Sequence, residues 1–359
     1  MSRVERLLQR LEEENLDGLL LLKTSVLRNQ NVRYITGFTG STAYVLISKK
    51  RRVLLTDARY DEQAAEECPE FEVLRHGKVW EMLQGIISEL GLSRVAYDAS
   101  GLTAKSLEIV QKSIKGVEWV STDGLINQLR SVKEPEEIER ISVAAQICDK
   151  LFEHALSKVR AGMTERELGL EFEIESRRLG ADGLAFDLIV VSGKRSSHQH
   201  GAPSDKVMEV GDFVTLDFGA RYQGYCSDMT RTIVIGKADS RQREVYDTVK
   251  RAQEKGVELV KDGAIPRDIT ASVCAILDDA GFAEYASRGV GHGVGLDIHE
   301  LPYIGGNEGP PLATGNIVTV EPGIYIPGWG GVRIEDLVLV TDEGPKRLTT
   351  STKELIEVL

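Results

Sequence analysis

Long apolar runs are missing from this 359-residue chain. The stretch Leu19-Leu20-Leu21-Leu22 falls far short of the roughly 20 residues that a membrane-spanning helix needs. Cysteine is scarce: Cys68, Cys148, Cys226 and Cys274 are scattered and form no Cys-x-x-Cys pair, which argues against a disulfide framework and a thiolate zinc site. The start, Met1-Ser2-Arg3-Val4-Glu5-Arg6, has no apolar signal region, so a cytoplasmic protein without a membrane partner is expected. Positive charge is in deficit, with 44 Lys+Arg against 56 Asp+Glu and a net charge of −12. That field would oppose a phosphate backbone, and nucleic acid is not an expected partner. Low-complexity segments and short-period repeats are also lacking. What remains, 42% hydrophobic and 28% charged residues, is ordinary globular composition, and the length suggests two domains.

The first 130 residues alternate short apolar runs with charged helical stretches. Strands are expected at Leu19–Leu22, Ala43–Ile47, Arg52–Thr56, Phe71–Leu74, Arg94–Tyr97 and Glu118–Val120, with helices at Val79–Leu90 and Ala104–Ser113. This predicts a layered α/β N-terminal domain, structural or oligomerising in role, over 1–130. The run Ser131-Val132-Lys133-Glu134-Pro135-Glu136-Glu137 marks a boundary, because Pro135 suits a first helical turn and the acids after it complement a helix N-terminus. In a second domain over 131–359, Ile138–Val159 and Glu165–Leu179 read as long helices, the second opened by a Thr164/Glu167 capping box. Short strands and glycine-rich turns follow, interrupted by helices near 241–261 and 267–280.

Chemistry-bearing residues concentrate in the later part of this second domain, where four of the six histidines, His198, His200, His292 and His299, lie within about a hundred residues. Val214-Thr215-Leu216-Asp217-Phe218 has strand periodicity, with Thr215 and Asp217 on one face. A turn near Gly219 and Gly224 lets the returning run Cys226–Thr232 bring Asp228, on a neighbouring strand, close to Asp217. Two close carboxylates repel unless a cation neutralises them, which points to an acid/base dyad or a metal site. His292 is flanked by glycines, which allow close backbone approach. Glu321 ends the apolar run Ile317–Val320, and Glu335 follows Arg333 by two residues on the same face. Four carboxylates and one imidazole form an oxygen-rich, nitrogen-containing donor set suited to two hard or borderline divalent ions.

These segments resemble the creatinase/aminopeptidase "pita-bread" metallopeptidases, in particular the Xaa-Pro peptidases (aminopeptidase P and prolidase). The resemblance is carried by His200-Gly201-Ala202-Pro203-Ser204-Asp205-Lys206, Gly211–Gly219, Gly224–Thr232, Gly291–Glu300, Val320-Glu321-Pro322-Gly323-Ile324-Tyr325 and Gly331-Val332-Arg333-Ile334-Glu335-Asp336. It implies an α+β pita-bread domain behind the α/β N-terminal domain, and cleavage of the Xaa-Pro bond in peptides or dipeptides. Two divalent ions (Mn²⁺, Co²⁺ or Zn²⁺) would share a nucleophilic hydroxide. Asp217 would bind one ion, Asp228 and Glu335 would bridge both, and His292 and Glu321 would bind the second. Glu321 would also exchange protons, while His200 and His299 would hold the substrate carbonyl or its oxyanion. Arg333 would hold a ligand carboxylate in position, and Tyr303, Tyr325 and Trp329 lie near enough in sequence to border a proline pocket. A homodimer is a further expectation from the resemblance alone.

His198 is expected to be a loop residue, Asp205 and Arg231 turn and ion-pair residues, and His76 and His154 background. Two departures stand out. Gln199 precedes His200 where the family often has Pro, and Tyr303 follows Pro302 where prolidase-like relatives tend to carry an arginine for a dipeptide's carboxylate. The second favours longer Xaa-Pro peptides. The rival readings are a metal-free binding protein of the same fold and an enzyme of that fold with another reaction, such as a metal-free amidinohydrolase or a methionyl aminopeptidase.

Overall fold

Leu19 to Leu22 do form a strand, and their burial follows from its central place in a sheet. The structure is a computed structural model that describes residues 1–27, 29–122, 124–306 and 309–359. By contacts along the chain it divides into two compact units, Met1–Arg130 and Ser131–Leu359.

The first unit contains β1 (Gly18–Lys23), β2 (Ala43–Ser48), β3 (Arg52–Thr56), β4 (Glu72–Arg75), β5 (Arg94–Asp98) and β6 (Glu118–Thr122). They form one mixed sheet in the order β4-β3-β2-β1-β5-β6. β1, β2 and β3 pair antiparallel, whereas β4, β5 and β6 join their neighbours parallel. The parallel connections carry helices, as βαβ geometry requires, including Val79–Leu90 and Ala104–Ser113 at the expected positions. Phe71 falls just before β4, a one-residue shift.

In the second unit, helices Pro135–Lys158 and Glu165–Arg178 lie over a sheet ordered Glu357–Val358, Met229–Ile235, Phe213–Phe218, Ile189–Ser192. Leu151, Phe172, Val214, Leu216 and Phe218 share this core. Thr164 caps its helix as expected: Glu167 N–H donates to Thr164 Oγ1 at 3.1 Å, and Thr164 N–H donates to Glu167 Oε2 at 2.8 Å. Helices Ser240–Leu259 and Pro266–Asp279 pack in the same way with a sheet ordered Glu300–Ile304, Gly291–Gly293, Ile317–Val320, Asp336–Thr341, Gly344–Arg347. Val249, Val273, Val318, Val320 and Val338 share that core. Each helix pair takes the apolar face of a sheet, so the alternate residues of the strands, among them Thr215, Asp217 and Thr319, are directed away from the helices. Among the described residues, no helix is long and apolar enough to cross a membrane.

Candidate metal centre and active-site cavity

Strand alternation decides the first acidic residue. Val214, Leu216 and Phe218 enter the helix-covered core, which turns Asp217 to the other face. Thr230, on Met229–Ile235, stands opposite Asp217 in the antiparallel register. Asp228 lies in the short link before that strand rather than on it, a correction to the sequence reading. Glu335 likewise occupies the link between Gly330–Arg333 and Asp336–Thr341, and Glu321 follows the end of Ile317–Val320. Strand ends suit such residues because the chain turns there, leaving carboxylates outside the ladder.

His292 sits on Gly291–Gly293, which crosses beside Ile317–Val320. A Cβ on Gly291 would lie 2.0 Å from the Thr319 carbonyl oxygen, so this approach requires glycine. His292 N–H donates to Thr319 Oγ1 at 3.0 Å, and its Nδ1 lies 3.1 Å from Gly293 O. Nε2 is thereby turned to the acids, 3.2 Å from Glu321 Oε1 and 3.6 Å from Asp228 Oδ2.

All five residues line one cavity of about 810 Å³, together with His200, His299, Tyr303, Tyr325 and Arg333. Asp228, His292 and Glu335 each place a potential ligand atom within 4.8 Å of the others. Asp217 Oδ2 accepts from Arg333 Nη2 instead. Arg333 also donates from Nε to Thr230 Oγ1 at 3.1 Å and from Nη1 to Tyr325 Oη at 2.8 Å and Gln199 O at 3.2 Å. Thr230 Oγ1 in turn donates to Glu335 Oε2 at 2.7 Å. One guanidinium thus orients Asp217 directly, Glu335 through a hydroxyl, and the segment just before His200 through a carbonyl.

The electrostatics of this cluster are unbalanced. Burial first, then the repulsion of neighbouring acids, holds the Asp228 and Glu335 carboxyls well above the ordinary range. Burial also raises Asp217, against the attraction of Arg333. Burial opposes charge on Glu321 and His292 too, but their mutual hydrogen bond and attraction win, lowering the acid and raising the imidazole. His299 is pushed down by partial burial and by the neighbouring His292, so its neutral form is favoured.

Within this cluster of four carboxylates, direct contact comes from one guanidinium, Arg333, and one imidazole, His292. Asp228 Oδ1 and Glu335 Oε1 are buried without a hydrogen-bond partner. A buried carboxylate oxygen left in this way is costly, and a divalent cation is the partner that both satisfies it and offsets the charge. The donor set fits such ions.

The chain matches the model of "Metallopeptidase family M24" over residues 139–342 and that of "Creatinase/Prolidase N-terminal domain" over 3–132. The chain belongs to metallopeptidase family M24. It is 43% identical to a solved Xaa-Pro dipeptidase from Bacillus anthracis, with a TM-score of 0.94 and 98% of each chain covered. A solved X-Pro aminopeptidase from Thermotoga maritima is 35% identical, with a TM-score of 0.92 and all of both chains covered. An Xaa-Pro dipeptidase of Pyrococcus horikoshii is 37% identical over 358 residues, 99% of either chain. The fold of this M24 chain is accordingly an α/β creatinase-type N-terminal domain followed by a pita-bread catalytic domain.

Other sequence-stated positions sort clearly in this M24 fold. His200 and His299 are exposed at the cavity, and Tyr303, 54% exposed, pairs across from His292 in the sheet. Tyr325 is buried and reaches Arg333, whereas Trp329 packs edge-on against Phe213 and does not line the cavity. His198 is an exposed loop residue, and Asp205 pairs with Arg166 on the surface. Arg231 is an ion-pair residue as expected, buried within Met229–Ile235 with Nη2 2.7 Å from Asp336 Oδ1. His154 pairs with Glu171, and neither it nor His76 lines the cavity. Phe186, Asp187 and Arg288 line it without having been singled out from the sequence. No spacing rule would have found them, because Phe186 and Asp187 share one loop and Arg288 comes from another about a hundred residues on.

Proposed function

We propose that this protein is a proline-specific metallopeptidase that hydrolyses the Xaa-Pro bond of dipeptides or at the N-terminus of longer peptides, with two divalent cations and a hydroxide between them. The observation that carries the reading is the pair of buried, unpartnered oxygens on Asp228 and Glu335, with His292 beside them. The names of the relatives support the proline preference.

Asp217, Asp228, His292, Glu321 and Glu335 would hold the ions, and Mn²⁺, Co²⁺ and Zn²⁺ all suit their oxygen and nitrogen donors. When bound, the ions supply Lewis acidity and bring a shared water's pKa towards neutrality. Glu321 accepts and returns a proton beside His292. His299, held neutral, and His200 present imidazole N–H groups at the cavity, where they bind the scissile carbonyl and stabilise its developing negative charge. The same imidazoles or Glu321 pass a proton to the departing proline nitrogen. That nitrogen belongs to a tertiary amide with no N–H, so the bond must be held by its carbonyl and ring rather than by the usual backbone donor. Arg333 keeps Asp217 aligned throughout.

A homodimer formed through the N-terminal unit and a cytoplasmic location complete the proposal. The four free, buried cysteines support a reducing compartment. The deciding experiment is product analysis with Ala-Pro, Ala-Pro-Ala and Ala-Ala-Ala on metal-reconstituted and EDTA-treated protein. Metal-dependent release of Ala from the proline peptides is expected. Cleavage of Ala-Pro alone makes the protein a dipeptidase, and preference for Ala-Pro-Ala makes it an aminopeptidase. No metal-dependent cleavage would refute the reading.

A further inference from the structure

The charged run that separates the two units in sequence also supplies a lysine to the interior of the catalytic unit. Lys133 is 5% exposed, and its Nζ lies 3.0 Å from Oε1 of Glu300, itself buried. The backbone around it is pinned. Lys133 N–H donates to Gly315 O at 2.9 Å, Val132 bridges to Asn316, and Asn316 Nδ2 donates to Ser131 O at 2.9 Å. Those partners immediately precede Ile317–Val320, the strand that ends at Glu321.

Glu300 directly follows His299. Its Oε2 accepts the Asp297 N–H at 3.2 Å, and its Oε1 lies 2.3 Å from where a Cβ on Gly295 would stand. The carboxylate thus fills the space inside the connection from Gly295 to His299. His299 is the last residue of that connection, and its ring centroid lies 4.1 Å from that of His292.

We propose that Lys133 is a positioning residue for the peptidase reaction: by pairing with Glu300 it fixes the 295–299 connection and so the place of the His299 imidazole. The inference rests on the proposed peptidase reading. A buried ion pair contributes little net stability compared with an apolar pair of similar size, whereas it holds both of its ends in one geometry. Here one end is anchored at the strand of Glu321 and the other at His299, two groups that must meet the same substrate bond.

The test compares Lys133→Met, Lys133→Arg and Lys133→Met/Glu300→Gln with the unaltered protein. Lys133→Met is expected to keep its metal and KM while kcat falls about 10–100-fold, the scale of a misplaced catalytic group. Lys133→Arg should recover most of the rate. The double variant, which leaves no unpaired buried charge, should melt near the unaltered protein yet remain slow. In metal-free protein the His299 ring ¹H–¹⁵N signal should shift in Lys133→Met while that of His198 stays. Unchanged kcat with an unmoved His299 signal would overturn the inference, as would a double variant that regains rate and melting temperature together. If the unaltered protein cleaves no Xaa-Pro peptide, the peptidase reading fails, and the ring signal still decides whether Lys133 positions His299.

Discussion

Asp228 and Glu335 converge on one cavity from two different links, each with one carboxylate oxygen buried and unpartnered, and each with its proton affinity raised by burial and by neighbouring acids. Their other oxygens are treated differently: Glu335 Oε2 accepts from Thr230 Oγ1, while Asp228 Oδ2 faces His292. The two are thus oriented by neighbours through one oxygen while the other oxygen of each has no partner.

Replacing either acid should remove the metals. In Asp228→Ala and Glu335→Ala, elemental analysis is expected to find both proposed ions lost and Ala-Pro turnover abolished, because on the proposed reading each acid would hold both. A variant with full metal and a near-normal rate would sink the bridging assignment.

Metal-free protein should lose stability as pH rises. Ordinary carboxyls ionise near pH 4, whereas burial and the repulsion of neighbouring acids keep Asp228 and Glu335 protonated to higher pH in the folded chain. The folded state therefore holds more protons than the unfolded one above about pH 4, and stability is lost as pH climbs through the raised values. Melting of EDTA-treated protein between about pH 5 and 8 should fall with pH more steeply than in Asp228→Asn or in metal-loaded protein. A flat profile in the metal-free protein would contradict the crowding of these acids.

His200→Ala should separate catalysis from metal binding. Metal content is expected to stay complete while kcat falls ~10²–10⁴-fold, the usual scale for a lost acid/base or oxyanion group. Loss of metal in this variant would make His200 a ligand.

Arg333→Met should destabilise the metal-free protein by about 3–5 kcal/mol in urea unfolding, because Asp217 and Tyr325 lose a buried partner. Arg333→Lys should recover only part of this, since one ammonium cannot span Thr230, Tyr325, Gln199 and Asp217 as the guanidinium fork does. An Arg333→Lys variant as stable as the unaltered protein would show that charge alone suffices.

Much of the fold was legible locally. The runs at Leu19, Ala43, Arg52, Arg94 and Glu118 are strands because short apolar segments between turn residues have few other ways to bury themselves. The Thr164 cap is a four-residue signal that needs nothing distant. Asp217 was placed correctly by alternation alone. Asp228 and Glu335 lie in links beside the strands on which the sequence pattern puts them, because where a strand ends depends on its partner's register.

The sequence by itself determined the residue types of the site, their order, and the apolar periodicities that form the sheets and helices, since each is a property of a few adjacent residues. Only the tertiary structure decided that Arg333 links Asp217 to the Gln199 carbonyl, that Phe186, Asp187 and Arg288 enter the cavity wall, and that Lys133 leaves a charged linker to meet Glu300. Those partners are 116, 134 and 167 residues apart or come from unconnected loops, and a charge finds such a partner only when burial leaves it no water to choose instead.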